Sequence, residues 1–287
     1  MVSLAAAANS PGSNQAQNIS LGIIAQINQK EIAEHFRPFV KYVAQKLAPG
    51  SRLEGAVTLA PTPLQLAKLI EEKQVDFYME SPYPTYVINT QGSAGLLVRR
   101  WKSGMAEYRS LIITSSGSKI NRLDDLRGKV IAFEDPGSTS GYFLPKILLL
   151  KKRFKLVEKR NPESKVEPNE IGYMFASSDV NIVELVVSKR VVAGAISDDD
   201  YDSLDEKKRA NLNILAKSDP FPRHLVSTRK DLDPKIKNRL KEILLRMHED
   251  EDGRKILQQT DNTTKFDLLP GGEESMRRQL VELFRSR

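Results

Sequence analysis

The sequence predicts an α/β protein built as two doubly wound lobes joined by a two-strand hinge. Short apolar, strand-like runs alternate with amphipathic helical stretches, and that alternation breaks at two longer strands before it starts again. A mostly helical segment then closes the chain. The 287 residues suffice for two modest cores. A hydrophobic content of 40% with 28% charged residues is that of an ordinary globular protein acting in water. No apolar run approaches the roughly 18 residues that a membrane-spanning helix needs.

The first unit opens with the buried strand Leu21 to Ala25. A helix follows from about Gln29 to Leu47, with Ile32, Phe36, Phe39, Val40, Val43 and Leu47 at spacings of three and four, so that they share one face. Pro49-Gly50 ends it. After a strand over Leu53 to Leu59, Thr62 caps and Pro63 opens a helix through Ile70. Strand Val75 to Met79 completes this β-α-β-α-β run. The longer strands are Gly95 to Arg100 and Tyr108 to Thr114.

The second unit begins with a helical turn, Leu123 to Gly128, and strand Val130 to Phe133. Helix Ser140 to Lys152, strand Ile171 to Phe175, helix Val180 to Ser188 and strands Val192 to Ile196 and Leu212 to Ala216 follow. A strand at Leu225 to Thr228 precedes helices Pro234 to His248, Gly253 to Gln259 and Glu273 to Phe284. The expected division is therefore a tail or signal remnant over 1–18, a first lobe over 19–114, a second over 115–218, and a return to the first over 219–287. The tail, Met1 to Asn18, has no charged side chain, and its small residues Leu4-Ala5-Ala6-Ala7-Ala8-Asn9-Ser10 look like the end of a secretory signal without a basic start.

Composition excludes several functions. The net charge is +7, from 44 basic and 37 acidic residues, but the basic residues are scattered beside acids. The densest clusters, Lys151-Lys152-Arg153 and Lys207-Lys208-Arg209, are short and lack interleaved aromatics, so no nucleic-acid partner is expected. The absence of cysteine removes disulfides, thiolate metal sites and cysteine nucleophiles together. His35, His224 and His248 have no metal-ligand spacing. There is no nucleophile elbow, phosphate-binding loop or dinucleotide fingerprint. No metal, cofactor or catalytic set is expected. Were the chain an enzyme, Asp199 and Glu80 would be the only obvious bases.

Three strand ends carry chemistry. In Phe133-Glu134-Asp135-Pro136-Gly137-Ser138-Thr139-Ser140-Gly141 a strand stops, the chain turns and three hydroxyl residues stand where a helix begins. A helix start offers unpaired amides and the positive end of a dipole, so an anion meets donors there without a full charge. The same residues also suit a helix cap with no ligand. Glu80-Ser81-Pro82-Tyr83-Pro84-Thr85-Tyr86 is a second such corner, in which Ser81 and Tyr83 are better candidates than Tyr86, whose spacing suits a core face. The third is Ser197-Asp198-Asp199-Asp200-Tyr201. A carboxylate beside an anion accepts a hydrogen bond from a protonated oxyanion or an amine and repels a fully ionised one such as sulfate. At least one of these aspartates is expected to cap the next helix.

These stretches resemble a known family, the PhnD-like phosphate-, phosphite- and phosphonate-binding proteins of ABC importers. The resemblance rests on Tyr108-Arg109-Ser110, Leu123 to Gly128 followed by Lys129 to Phe133, Asp135 through Gly141 to Pro145, Val192 to Asp198, and His248 to Arg254. It implies the type II periplasmic-binding-protein fold, an extracytoplasmic location, and a small oxyanion held between the lobes for an ABC permease or a membrane sensor kinase, with the protein a monomer. By resemblance, Ser138, Thr139 and Ser140 are oxyanion donors, Tyr83 and Tyr108 hydroxyl donors, and Asp198 or Asp199 the acidic contact. Glu80-Ser81-Pro82 replaces a Gly-Pro corner, and Ser177-Ser178-Asp179 replaces a His-Asp pair, which leaves the choice of oxyanion open. The whole reading requires the turn after Gly137 to face a closing cleft; a turn open to bulk solvent, or packed shut with no cavity beside it, would end it.

Overall fold

Strand β1 (Asn18–Ile24) is the centre of a parallel triplet, and its near-continuous apolar run is buried because helices cover the sheet. The computed structural model describes residues 18–285, so the expected tail lies outside the described residues except for Asn18. Helix α1 (Gln29–Leu47) buries Phe36, Phe39, Val40 and Val43, the face its spacing predicts. It leads to β2 (Glu54–Ala60), which pairs parallel with β1. Helix α2 (Pro63–Glu71) starts as expected: Thr62 Oγ1 accepts the Gln65 amide at 3.2 Å, and Pro63 occupies the first turn. Strand β3 (Phe77–Glu80) lies on the other side of β1, and α3 (Pro82–Thr90) and β4 (Ala94–Lys102) follow.

The chain crosses through β5 (Glu107–Tyr108) into β6 (Ser110–Ser115), and β7 (Val130–Phe133) comes after a tight turn at Leu123–Leu126. A π turn at Thr139–Phe143 runs into α4 (Leu144–Lys151). Then come β8 (Lys155–Glu158), β9 (Glu170–Phe175), α5 (Asp179–Val187), β10 (Ala193–Ser197), α6 (Asp198–Ser203), α7 (Glu206–Ala210) and β11 (Leu212–Lys217). The return passes through β12 (Phe221–Pro222) to β13 (His224–Arg229), α8 (Pro234–Arg246), α9 (Glu251–Gln259), β14 (Thr263–Asp267) and α10 (Gly272–Phe284).

Two six-stranded sheets result, ordered β14-β4-β13-β3-β1-β2 and β11-β6-β10-β7-β9-β8, with β5 and β12 paired between them. Each sheet is parallel at its βαβ end and antiparallel where the crossing strands join it. Strand β6 hydrogen-bonds to β10 and β11, so it belongs to the second sheet. The outward crossing therefore falls between Lys102 and Ser110, before the Ser115 at which the sequence divides the lobes. Strands β8 and β14 were not anticipated. Both are short edge strands, Lys-Leu-Val-Glu and Thr-Thr-Lys-Phe-Asp, without enough alternation to announce themselves.

The first sheet packs its core against α1 and α8 through Phe39, Val40, Val43, Phe77, Leu240 and Leu244. The second has a core on each face, one around Phe133 and Leu149 and one around Ile182 and Val186. A smaller apolar cluster joins Ile147 of α4 to Leu96, Leu225, Leu280 and Phe284 of the first lobe, so apolar contact crosses between the lobes. Among the described residues no helix is long and apolar enough to cross a membrane.

Candidate functional site

The carboxyl ends of β3, β7 and β10 approach one another where the crossing strands meet, the usual place for a ligand in an open α/β sheet. After β7 the turn is built by its own side chains. Gly137 donates its amide to Asp135 Oδ1 at 2.6 Å, and Ser138 Oγ accepts the Gly141 amide at 2.9 Å while donating to Glu134 Oε2 at 2.7 Å. Gly141 permits this closure: a Cβ there would stand 2.5 Å from the Glu134 carboxylate and 2.9 Å from Ser138 Oγ. The expected helix from Ser140 thus begins as a π turn, with the Phe143 amide reaching back five residues to the Ser138 carbonyl at 3.1 Å.

The three hydroxyl residues consequently do different things. Ser138 is the cap, and its hydroxyl is used locally. Thr139, 2% exposed, points across the interface: its Oγ1 lies 3.0 Å from Ser81 Oγ and accepts the Tyr83 amide at 3.0 Å. Ser140 is buried, and it reaches the Tyr108 phenol together with Thr139 and Arg223. Burial pushes that phenol up to about 12, while hydrogen bonds and the Arg223 charge pull the other way.

The first-lobe corner supplies Ser81, just before α3, whose hydroxyl caps nothing in its own helix. Tyr83 was expected to offer its hydroxyl; it is its amide that meets Thr139, because its ring is stacked on Phe143 at 3.5 Å and set edge-on to Phe284. Tyr86 packs on Phe284, as its spacing suggested. Glu80 accepts the Ile24 amide at 3.0 Å, and burial pushes its carboxyl up to about 7 against the opposing pull of that amide and of Arg100.

The acidic corner divides its labour. Asp200 forms a capping box with Ser197, accepting its hydroxyl at 2.6 Å, and burial raises its carboxyl above the usual range. Asp198 accepts the amides of Arg109 and Asp199 at 3.0 and 3.1 Å and so ties the strand end to the crossing segment. Asp199 alone turns to the interface, where its Oδ2 lies 3.0 Å from Nη2 of Arg223. Arg223 stacks on the Tyr108 ring, with Cζ 4.5 Å from its centroid.

The structure thus gathers Ser81, Tyr83, Tyr108, Thr139, Ser140 and Asp199 at one point, and leaves Ser138 and Asp198 as its scaffold. The corners meet directly, with the Thr139 hydroxyl between them; two surface cavities of about 560 and 600 Å³ lie elsewhere, at the ends of α1 and α8. Sequence reasoning missed Arg223. Its only signal was a charged residue beside Phe221-Pro222, in a segment that otherwise reads as buried hinge. Among the described residues no group of three or more His, Asp or Glu is placed to hold a metal ion.

Residues 21–269 match the family described as the periplasmic substrate-binding proteins of phosphonate ABC transporters. The chain belongs to this family. Its fold is also that of solved structures. XAC2383 from Xanthomonas citri bound to chloride ion is 26% identical, with a TM-score of 0.84 over 93% of this chain and 95% of that one. The same protein bound to ATP gives 25% identity and a TM-score of 0.81 over the same shares. PhnD1 from Prochlorococcus marinus, in complex with methylphosphonate, shares the fold at 18% identity and a TM-score of 0.70, over 94% of this chain and 98% of that one. The expected type II binding-protein architecture is the one present. Members of this family bind a solute for a transporter, which fits the lack of a catalytic constellation in the sequence.

Proposed function

We propose that this protein captures a small phosphorus oxyanion, phosphate, phosphite or a phosphonate, between its lobes and hands it to an ABC importer outside the cytoplasm, without turnover. The observation that carries the reading is the position of Thr139 Oγ1, 3.0 Å from both Ser81 Oγ and the Tyr83 amide. Two strand-end corners from different lobes thereby direct their donors at one point. An oxyanion needs such convergent neutral donors, and the helix start behind Thr139 adds its dipole.

The arrangement is a closed one, in which each corner satisfies the other. In our reading the lobes rotate apart about the segments 103–109 and 218–223, and the oxyanion takes the place of the Ser81–Thr139 contact as they close. Thr139, Ser140, Ser81 and Tyr108 then donate hydroxyls, and Tyr83 its amide. Ser138 keeps the turn in shape. The reading is supported by the family, and by neighbours described with methylphosphonate and with ATP, both of which present phosphoryl oxygens.

Calorimetry against phosphate, phosphite, methylphosphonate, aminoethylphosphonate and sulfate tests it. Binding of at least one phosphorus oxyanion more tightly than sulfate is expected. A protein that ignores all four, or prefers sulfate, overturns it. Ligand recovered unchanged after long incubation separates binding from turnover.

A further inference from the structure

The oxyanion donors just described are neutral, yet a cation sits beside them. Arg223 is 8% exposed, and its buried Nε has no hydrogen-bond partner among the described residues. A buried donor left unpaired is costly, and a guanidinium carries five donors in a fixed fork suited to a planar or tetrahedral oxyanion. Its one carboxylate contact among the described residues is Asp199, at 3.0 Å through Nη2. The group lies over the ring of Tyr108, with Cζ 4.5 Å from its centroid, and the same phenol is neighboured by Thr139 and Ser140. The guanidinium is therefore one shared phenol away from the hydroxyls of the π turn.

Resting on the function proposed above, we infer that Arg223 is the charge-bearing ligand of the oxyanion site, and that Asp199 is its internal competitor. In the closed arrangement Asp199 occupies one edge of the fork. An arriving oxyanion takes the unpaired Nε–H and competes for the edge that Asp199 holds. The carboxylate thus lowers affinity for any anion by a fixed amount and keeps the cation from lying uncompensated when no ligand is bound. This differs from the sequence expectation, in which the carboxylate itself meets the ligand. Two further cations lie near: the charges of Arg100 and Lys102, with that of Arg223 and after burial, hold His224 neutral, while Arg100 is itself paired with Asp261 at 3.3 Å and Lys102 also feels the Asp261 charge. Asp200, which feels the Arg223 charge, is occupied by its capping box.

The test is calorimetry with methylphosphonate and phosphate on the full chain and three variants. Arg223→Gln should weaken binding by about 10- to 150-fold, the range for losing a charged hydrogen bond. Arg223→Lys, which keeps the charge but not the fork, should fall between. Asp199→Asn should tighten binding several-fold, a gain that a purely structural ion pair cannot give. Wild-type affinity in Arg223→Gln overturns the inference, as does unchanged or weaker binding in Asp199→Asn. Should Arg223→Gln fail to fold, the Arg223→Lys and Asp199→Asn pair decides on the same criteria. If the wild-type protein binds neither phosphate nor a phosphonate, the proposed function fails first and this inference with it. If it binds and only the variants disobey, the function stands and Arg223 is scaffold.

Discussion

Thr139→Val is the sharpest perturbation of the interface, because it removes one oxygen while nearly keeping the side chain's shape. That oxygen makes two bonds between the lobes, to Ser81 Oγ and from the Tyr83 amide, each at 3.0 Å. Each neutral hydrogen bond contributes about 1 kcal/mol net, so the closed protein should lose about 2 kcal/mol. For a chain of this size that lowers Tm by roughly 3–6 °C if the lobes melt together. In the proposed complex the same hydroxyl would donate to a charged oxygen, an interaction of about 1.5–3 kcal/mol, so Kd for methylphosphonate should rise about 10- to 150-fold. Differential scanning calorimetry reads the first quantity and isothermal titration the second. A variant whose Tm falls as expected while its Kd stays within about twofold of wild type would show that Thr139 clasps the lobes without touching ligand. The account of the site would then be wrong.

Other expectations follow from the same contacts. Glu80 holds its proton up to about pH 7, against 4.5 for the ordinary carboxyl. Between those values the folded protein binds a proton that the unfolded chain has lost, so stability falls as pH rises through that window. The loss is about 2 kcal/mol, below the full value of the shift because the side chain is only partly buried. Glu80→Gln, which can still accept the Ile24 amide, should flatten that dependence in denaturant titrations at about pH 5 and about pH 8, and a slope equal to wild type's refutes the assignment. Gly194 lies under α5, where a Cβ would intrude on Cγ2 of the fully buried Ile182. Gly194→Ala should therefore destabilise the second lobe by about 1–3 kcal/mol in denaturant melts, since the β-branched neighbour cannot swing aside.

Much of the fold was legible because its signals are local. The period of Phe36, Phe39, Val40 and Val43 marks one helix face whatever lies opposite. Thr62 and Pro63 mark a helix start because cap chemistry involves atoms three residues apart. The same holds at the site for the turn around Gly137 and for the capping aspartate, which was expected without being singled out as Asp200. What failed was non-local or faint: β6 looked like an extension of the first lobe, and the edge strands β8 and β14 were too short and polar to register.

From the sequence alone came the alternation that dictates two wound sheets, and the hydroxyl-rich strand ends at which an anion would be sought. Tertiary structure decided which oxygens are available. Ser138 and Thr139 are adjacent and chemically alike, yet one faces its own turn and the other the opposite lobe, because a π turn rotates successive side chains onto different sides. Asp198 and Asp199 also part, in the first turn of the α-helix α6. Arg223 acquires its place only when the return strand lies beside Tyr108, a pairing between residues far apart along the chain. Residue type and local pattern set where chemistry can reside; packing sets which groups find partners within the turn and which are left to meet across it.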